Sequence, residues 1–215
     1  MSKTKLIEKL LDPGIVAIIR ADSSDQLLEC AEALVAGGIS VMEVTMTTPN
    51  AISVIKTVSD ALGDKIIMGV GTVLDTETCR MAMLAGARFV VTPVLRPDVV
   101  EMCNRYSVPI ACGAYTPTEA LTAHEMGADF IKIFPADGLG PGYIKAILAP
   151  LPQLRIIPTG GVDVNTAGSF LKAGCVAVAA GSSLVSREIL NERDWPALTE
   201  RARAFVAAVR EAKGL

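Results

Sequence analysis

Gly127-Ala128-Asp129-Phe130-Ile131-Lys132-Ile133-Phe134-Pro135 is an apolar run bounded by glycine and proline, the pattern of a strand buried on both faces. Lys132 is the residue out of place in it, with Phe130 and Ile131 on one side and Ile133 and Phe134 on the other. An ammonium enclosed in such a strand costs several kcal/mol unless it is paired or gives up its proton. Burial lowers a lysine's pKa, and a neutral lysine amine is a nucleophile toward carbonyls. The competing reading is a lysine that snorkels from a strand end to solvent.

Outward from this segment, strands and helices alternate along the whole chain. Residues 15–20, 41–46, 65–70, 88–92, 109–112, 130–134, 155–158 and 176–180 read as strands. Helical patterns cover 24–36, which opens on a Ser/Asp cap, then 49–62 with proline near its first turn, 75–85, 97–106, 117–126, 141–148 and 164–172. The tail, 195–213, is amphipathic, and Trp195, Leu198, Phe205, Val206 and Val209 are expected to pack it on the body of the protein. Eight such strand–helix units predict a closed (β/α)8 TIM barrel, one α/β domain over 1–215 with an N-terminal lead-in and a C-terminal helix. A weak repeat agrees: AGGISVMEV, AGARFVVTP, MGADFIKIF and AGCVAVAAG each place a helix-ending glycine before a strand. A doubly wound open sheet is the rival fold, but Arg20-Ala21-Asp22-Ser23 is not the Gly-rich turn it usually carries after its first strand.

In a barrel, chemistry lies where the strands run out at their C-terminal ends. Lys65, Arg88 and Arg155 open their strands and belong to the opposite, stabilising face. Arg20 ends the first strand, while Glu43 and Lys132 lie within the second and sixth. Glu43 shares strand parity with Val41 and Thr45, so these three project to one side. A carboxylate and an amine enclosed together can be a structural ion pair or an amine nucleophile with its acid–base partner. Thr45, Thr72 and Thr92 also end strands and can hydrogen-bond a carboxylate or hydroxyl. Thr159-Gly160-Gly161 closes the seventh strand and Gly181-Ser182-Ser183 the eighth. Glycine amides there form an anion nest, at the pair of loops where barrels commonly hold phosphate.

The bulk properties narrow the class. The 215 residues are 51% hydrophobic, enough for a core and too apolar for a disordered chain. A net charge of −3 offers no basic field for nucleic acid. No apolar run is long enough to cross a bilayer, and the charged N-terminus lacks a signal-peptide core, so a cytoplasmic protein is expected. The five cysteines, Cys30, Cys79, Cys103, Cys112 and Cys175, show no CxxC spacing and read as reduced thiols. Cys112, at a strand end, is the one that can line a site. The single histidine, His124, fits the last turn of a helix. With no Cys/His cluster and no dense acidic group, no metal site is expected.

Eight pieces of sequence together resemble the class I 2-keto-3-deoxy-6-phosphogluconate (KDPG) and 4-hydroxy-2-oxoglutarate (KHG) aldolase family. They are VAIIRA (16–21), AGGISVMEVT (36–45), GVGTV (69–73), TPVLRPD (92–98), TPTEA (116–120), GADFIKIFPA (127–136), PTGGV (158–162) and VAAGSSLV (178–185). The resemblance implies a homotrimeric barrel acting on a small 2-keto acid without metal or other cofactor. It implies Lys132 as the Schiff-base lysine and Glu43 as the acid–base group. It implies Arg20, Thr72, Pro93, Phe134 and Thr159 around the substrate, and Gly160, Gly161, Gly181 and Ser182 around its phosphate. The chain departs from the gluconate-type pattern in four places. Thr47 replaces an arginine, Cys112 precedes Gly113 where some relatives have proline, Tyr115 follows it, and Val94 and Arg96 follow the fourth strand.

The reaction so implied is cleavage of KDPG to pyruvate and glyceraldehyde 3-phosphate. The galactonate epimer and unphosphorylated 4-hydroxy-2-oxoglutarate are the alternative substrates. Two other classes stay open on the same barrel. One is a sugar-phosphate isomerase or epimerase using Glu43 as base, and the other is a non-catalytic phosphate-binding barrel held by a Glu43–Lys132 pair.

Overall fold

In the computed structural model, which describes residues 1–22 and 25–215, the run around Lys132 is a strand with both faces covered. The chain opens with helix α1 (Lys3–Leu11). It continues through β1 (Ile15–Ile19), α2 (Leu27–Ala36), β2 (Val41–Thr45), α3 (Ala51–Leu62), β3 (Ile67–Gly71), α4 (Thr76–Leu84), β4 (Phe89–Val91) and α5 (Pro97–Arg105). The second half is β5 (Ile110–Ala114), α6 (Pro117–Glu125), β6 (Phe130–Ile133), α7 (Gly140–Leu148), β7 (Ile156–Pro158), α8 (Ala167–Lys172), β8 (Val178–Ala180), α9 (Arg187–Glu192) and α10 (Trp195–Lys213).

All strand pairs are parallel, in the order β7-β6-β5-β4-β3-β2-β1-β8. A bridge between Thr159 and Ala179 and the Val176 N–H bond to the Ile156 carbonyl (3.1 Å) bring β7 against β8 and complete the expected (β/α)8 ring. Strand side chains alternate between the two faces. Val16, Ile18, Val41, Ile67, Phe89, Val91, Ala111, Phe130, Ile157 and Ala179 form the inner core, with Leu6 and Leu10 of α1 plugging its N-terminal mouth. Ile15, Ile19, Met42, Val44, Ile131, Ile133 and their counterparts form the outer core beneath the helices. The tail behaves as its pattern predicts: α10 packs on α8 and α2 and buries Leu198, Phe205 and Val209.

The repeated glycines have a common geometry. Gly38, Gly86, Gly127 and Gly174 take φ of +92°, +112°, +90° and +108° just past α2, α4, α6 and α8. In each case the next residue's amide bonds back to the third residue from the helix end: Ile39 to Leu34, Ala87 to Ala82, Ala128 to Ala123, and Cys175 to Phe170. This is the Schellman closure, which satisfies otherwise orphaned carbonyls and turns the chain into the next strand. It recurs at every second helix.

Several sequence expectations shift. The cap at Ser24 lies outside the described residues, and the helix begins at Leu27 after a turn at Asp25 and Gln26. Pro49 precedes its helix, whose N-cap is Asn50 in a left-handed conformation. Lys65 sits in a short 3-10 turn before β3. Cys112 does not line the site. It is mid-strand and buried in the outer core, because Ala111 takes the inward position beside it. Helices α1 and α9 were not anticipated.

Candidate active site

Inward parity places Glu43 and Lys132 inside the barrel, on β2 and β6. Glu43 is 2% exposed and Lys132 7%. Together with Thr159 they line an enclosed cavity of about 20 Å3, room for roughly one water. Its remaining wall is apolar and includes Leu10, Val16, Phe89, Val91, Phe130 and Ile157. This is a low-dielectric setting, and it shifts both groups toward their neutral forms. Burial pushes the Lys132 amine below the usual lysine range; Glu43 opposes that shift and Arg20 adds to it. Burial pushes the Glu43 carboxyl above the usual carboxylate range; Lys132 and Arg20 pull it back.

The two groups face one cavity without forming an ion pair, which none of the pairs among the described residues provides. Glu43 Oε1 is buried with no hydrogen-bond partner, as is Thr159 Oγ1. The Lys132 amine lies over the Phe134 ring, 5.1 Å from its centroid. The Glu43 carboxylate lies across Gly71 of β3, where a Cβ would come within 3 Å of it, so only glycine leaves it that space.

Above this cavity opens a second one of about 430 Å3. Its wall gathers Arg20, Phe134, Thr159, Gly160, Gly161, Gly181 and Ser182, seven of the residues anticipated from sequence. Thr159 belongs to both walls and marks the junction. Gly160 (φ +92°) and Gly161 (φ +67°) take left-handed conformations in the loop after β7. Ser183 Oγ donates to the Val162 carbonyl at 2.6 Å and fastens the loop after β8 to it. Arg20 follows β1 and is exposed to this cavity. The Ala21 amide, next to it, donates to the buried Thr48 hydroxyl at 3.3 Å, so the loop after β2 holds the segment carrying Arg20.

Thr72 and Pro93 line neither cavity. Thr72 follows Gly71 with φ +59°, a left-handed conformation that is costly for a β-branched residue and is found where function imposes it. Pro93 packs its backbone against Gly113. The other two strand-end threonines are engaged elsewhere. Thr92 Oγ1 donates to the Val94 carbonyl (2.8 Å) and accepts from the Gly113 amide (3.0 Å). Thr45 and Thr47 share a hydroxyl–hydroxyl bond of 2.8 Å. Among the four departures, Arg96 is held by Asp98 through two bonds of 3.0 and 2.6 Å, and the Tyr115 carbonyl accepts from Tyr143 Oη at 2.6 Å. Sequence reasoning missed Asp163 and Arg187 on the wall of the outer cavity, one in the loop after β7 and the other opening α9; a single charge carries no periodic signal.

Burial favours the free amine of Lys132 and the protonated acid of Glu43, and an amine and an acid in those forms can add to a carbonyl and protonate its oxygen. Among the described residues, no group of three or more His, Cys, Asp or Glu is arranged to hold a metal ion, and no helix is long and apolar enough to cross a membrane.

A family model described as KDPG and KHG aldolase matches residues 6–201. The 2-dehydro-3-deoxy-6-phosphogalactonate aldolase of Escherichia coli is 35% identical, over 92% of this chain and 95% of that protein. The 2-dehydro-3-deoxy-phosphogluconate aldolase of Haemophilus influenzae is 33% identical, over 96% of this chain and 97% of its own. Among solved structures, KDPG aldolase from Legionella pneumophila, with pyruvate captured as a covalent carbinolamine intermediate, matches with a TM-score of 0.84 at 30% identity. The match covers 90% of this chain and 97% of that one.

Proposed function

The chain belongs to the KDPG and KHG aldolase family, and on that premise we propose that it is a class I aldolase in which Lys132 forms the Schiff base and Glu43 moves the protons. The substrate is KDPG, cleaved to pyruvate and glyceraldehyde 3-phosphate. The observation that carries this reading is the pair of oppositely shifted, buried groups in one cavity without ion-pair contact. The Lys132 nitrogen attacks the C2 carbonyl while Glu43 supplies a proton to the oxygen, giving a carbinolamine. Loss of water leaves an iminium. Glu43, now a carboxylate, takes the C4 hydroxyl proton. The C3–C4 bond breaks, its electrons pass into the iminium as an enamine, and the aldehyde departs. Protonation at C3 and hydrolysis release pyruvate and restore the amine.

Thr72, with its strained backbone, and Arg20, with its charge at the cavity wall, support assignment to the substrate's carboxylate and reacting hydroxyl. Thr159 joins them through its uncommitted oxygen, and Phe134 and Pro93 supply the apolar wall. Gly160, Gly161, Gly181 and Ser182 take the 6-phosphate. The galactonate epimer is a second reading, favoured by the 35% identity to the phosphogalactonate relative.

The enzyme is further proposed to be a cytoplasmic homotrimer. All five cysteines are free thiols, as in a reducing compartment. One face of α4 leaves Met81 (55%) and Leu84 (70%) exposed a turn apart, the kind of apolar surface that association covers.

Incubation with pyruvate and borohydride tests the chemistry. One reduced pyruvate adduct per chain, mapped by mass spectrometry to Lys132 and absent from Lys132→Met, is the expected result. No adduct, or one on another lysine, rejects the mechanism. Full activity of Lys132→Met would point instead to an isomerase or epimerase that needs only Glu43.

A further inference from the structure

We propose that Arg187 is the cation that binds the outer end of the substrate, making it the residue that favours phosphorylated over unphosphorylated keto acids. The inference rests on the aldolase reading and its phosphate cradle. Arg187 shares a cavity wall with Gly160, Gly161, Ser182 and Ser183. A phosphate monoester brings about −1.5 to −2 charge at neutral pH. The cradle answers it with amide and hydroxyl dipoles only. Asp163, on the same wall, adds a negative charge, and although its Oδ1 accepts the Asn165 and Thr166 amides (2.7 and 2.8 Å), an incoming anion still meets it. The other arginine on the wall, Arg20, sits at the inner end, where its charge acts on Glu43 and Lys132. Arg187 is the cation left for the outer end.

Its placement favours the role. The backbone beneath Arg187 is fixed to the cradle: the Leu184 and Val185 amides bond to the Gly181 carbonyl (2.9 and 2.8 Å), and Ser183 is tied to Val162. Only the side chain has to reorganise. Its present partner holds it loosely, with Arg187 Nε 3.9 Å from Asp22 Oδ2 and side chains 79% and 78% exposed. Exposed pairs of this kind are worth little. A guanidinium fork matches phosphate oxygens better than a single carboxylate at that distance.

The test compares kcat/KM for KDPG with that for 4-hydroxy-2-oxoglutarate in the wild type, Arg187→Gln and Arg187→Lys. Arg187→Gln is expected to lower the KDPG-to-KHG ratio by about ten- to thirtyfold, the scale of one charge-assisted contact near solvent. Arg187→Lys, which keeps charge and loses the fork, recovers part of it. The wild type's advantage over Arg187→Gln shrinks as salt rises from about 0.05 to about 0.5 M. An unchanged ratio, or equal losses on both substrates, overturns the assignment while leaving the cradle in place. A wild type with no preference for KDPG removes the cradle reading itself and Arg187 with it, whereas the pyruvate adduct at Lys132 is read independently of either.

Discussion

Gly71→Ala tests the geometry of the proposed acid–base group, Glu43, with one methyl. A Cβ at Gly71 would lie 2.4 Å from Glu43 Oε1 and 2.9 Å from its Cδ. Favourable contact for such atoms is about 3.5 Å, so the carboxylate must retreat by roughly 1 Å. The backbone does not object, because Gly71 is a strand residue outside the left-handed region. Alanine there gains about 0.4–1 kcal/mol by restricting the unfolded chain. Overpacking costs about 1–3 kcal/mol. Stability should therefore fall by about 2.6 kcal/mol at most. Activity should fall much further, because a 1 Å misplacement of a catalytic group costs about 100-fold. Steady-state kinetics on KDPG, with released pyruvate as the readout, and urea unfolding of the same preparations give both numbers. Lys132 is untouched, so borohydride should still trap pyruvate, more slowly. Gly71→Ala/Glu43→Asp, which withdraws the carboxylate by one methylene, should recover part of kcat. A folded Gly71→Ala enzyme within about threefold of wild-type kcat/KM would refute the claim that Glu43 works from the position it occupies.

Thr72→Asn should move stability and activity in opposite directions. Asparagine tolerates the left-handed backbone held by Thr72 at φ +59°, so unfolding free energy should rise by about 1 kcal/mol while kcat/KM on KDPG falls; a variant less stable than wild type contradicts the strain. The Glu43 carboxyl, raised above 4.5 chiefly by burial, binds more protons folded than unfolded. Its contribution is fully present below pH 4.5 and is lost as pH climbs through the folded pKa. Lys132→Met removes the attraction that holds that pKa down, so this variant should lose stability relative to wild type as pH rises from about 5 to about 8, and Lys132→Met/Glu43→Gln should not. Urea midpoints across that range decide it.

The barrel was legible because its signals are local and repeated. Charged residues inside apolar strands identify Glu43 and Lys132, and Gly38, Gly86, Gly127 and Gly174 mark helix ends whose hydrogen bonds are the same each time. Both glycine loops on the outer-cavity wall were legible because they follow the seventh and eighth strands. What sequence does not supply is a partner. Nothing in a run of strand-end threonines distinguishes Thr92, whose hydroxyl bridges Val94 and Gly113, from Thr159, whose hydroxyl is free. A strand covered on both faces hides its parity, so Cys112 could be read as lining the site when Ala111 holds the inward position. The α1 plug was present as Leu6 and Leu10 at helical spacing, masked by the lysines and glutamate around them.

The absence of a salt bridge between Glu43 and Lys132 bears on which barrel this is. A structural ion pair would hold the two charges in contact, since only contact offsets what their burial costs. Here no salt bridge joins the two, and burial leads the shift of each: the amine toward its free base, the carboxyl toward its protonated form. Burial thus favours the uncharged form of each group. A neutral amine and a protonated acid are the forms that the first step of imine formation requires. Arg20 adds an asymmetry, because one cation acts on both groups and lowers both pKa values. On the proposed mechanism it favours the neutral amine for the attack, and it also favours the carboxylate that would take the C4 hydroxyl proton once the iminium has formed. A purely structural pair gains nothing from a third charge that releases its lysine's proton, whereas a Schiff-base site uses that charge in both halves of the reaction.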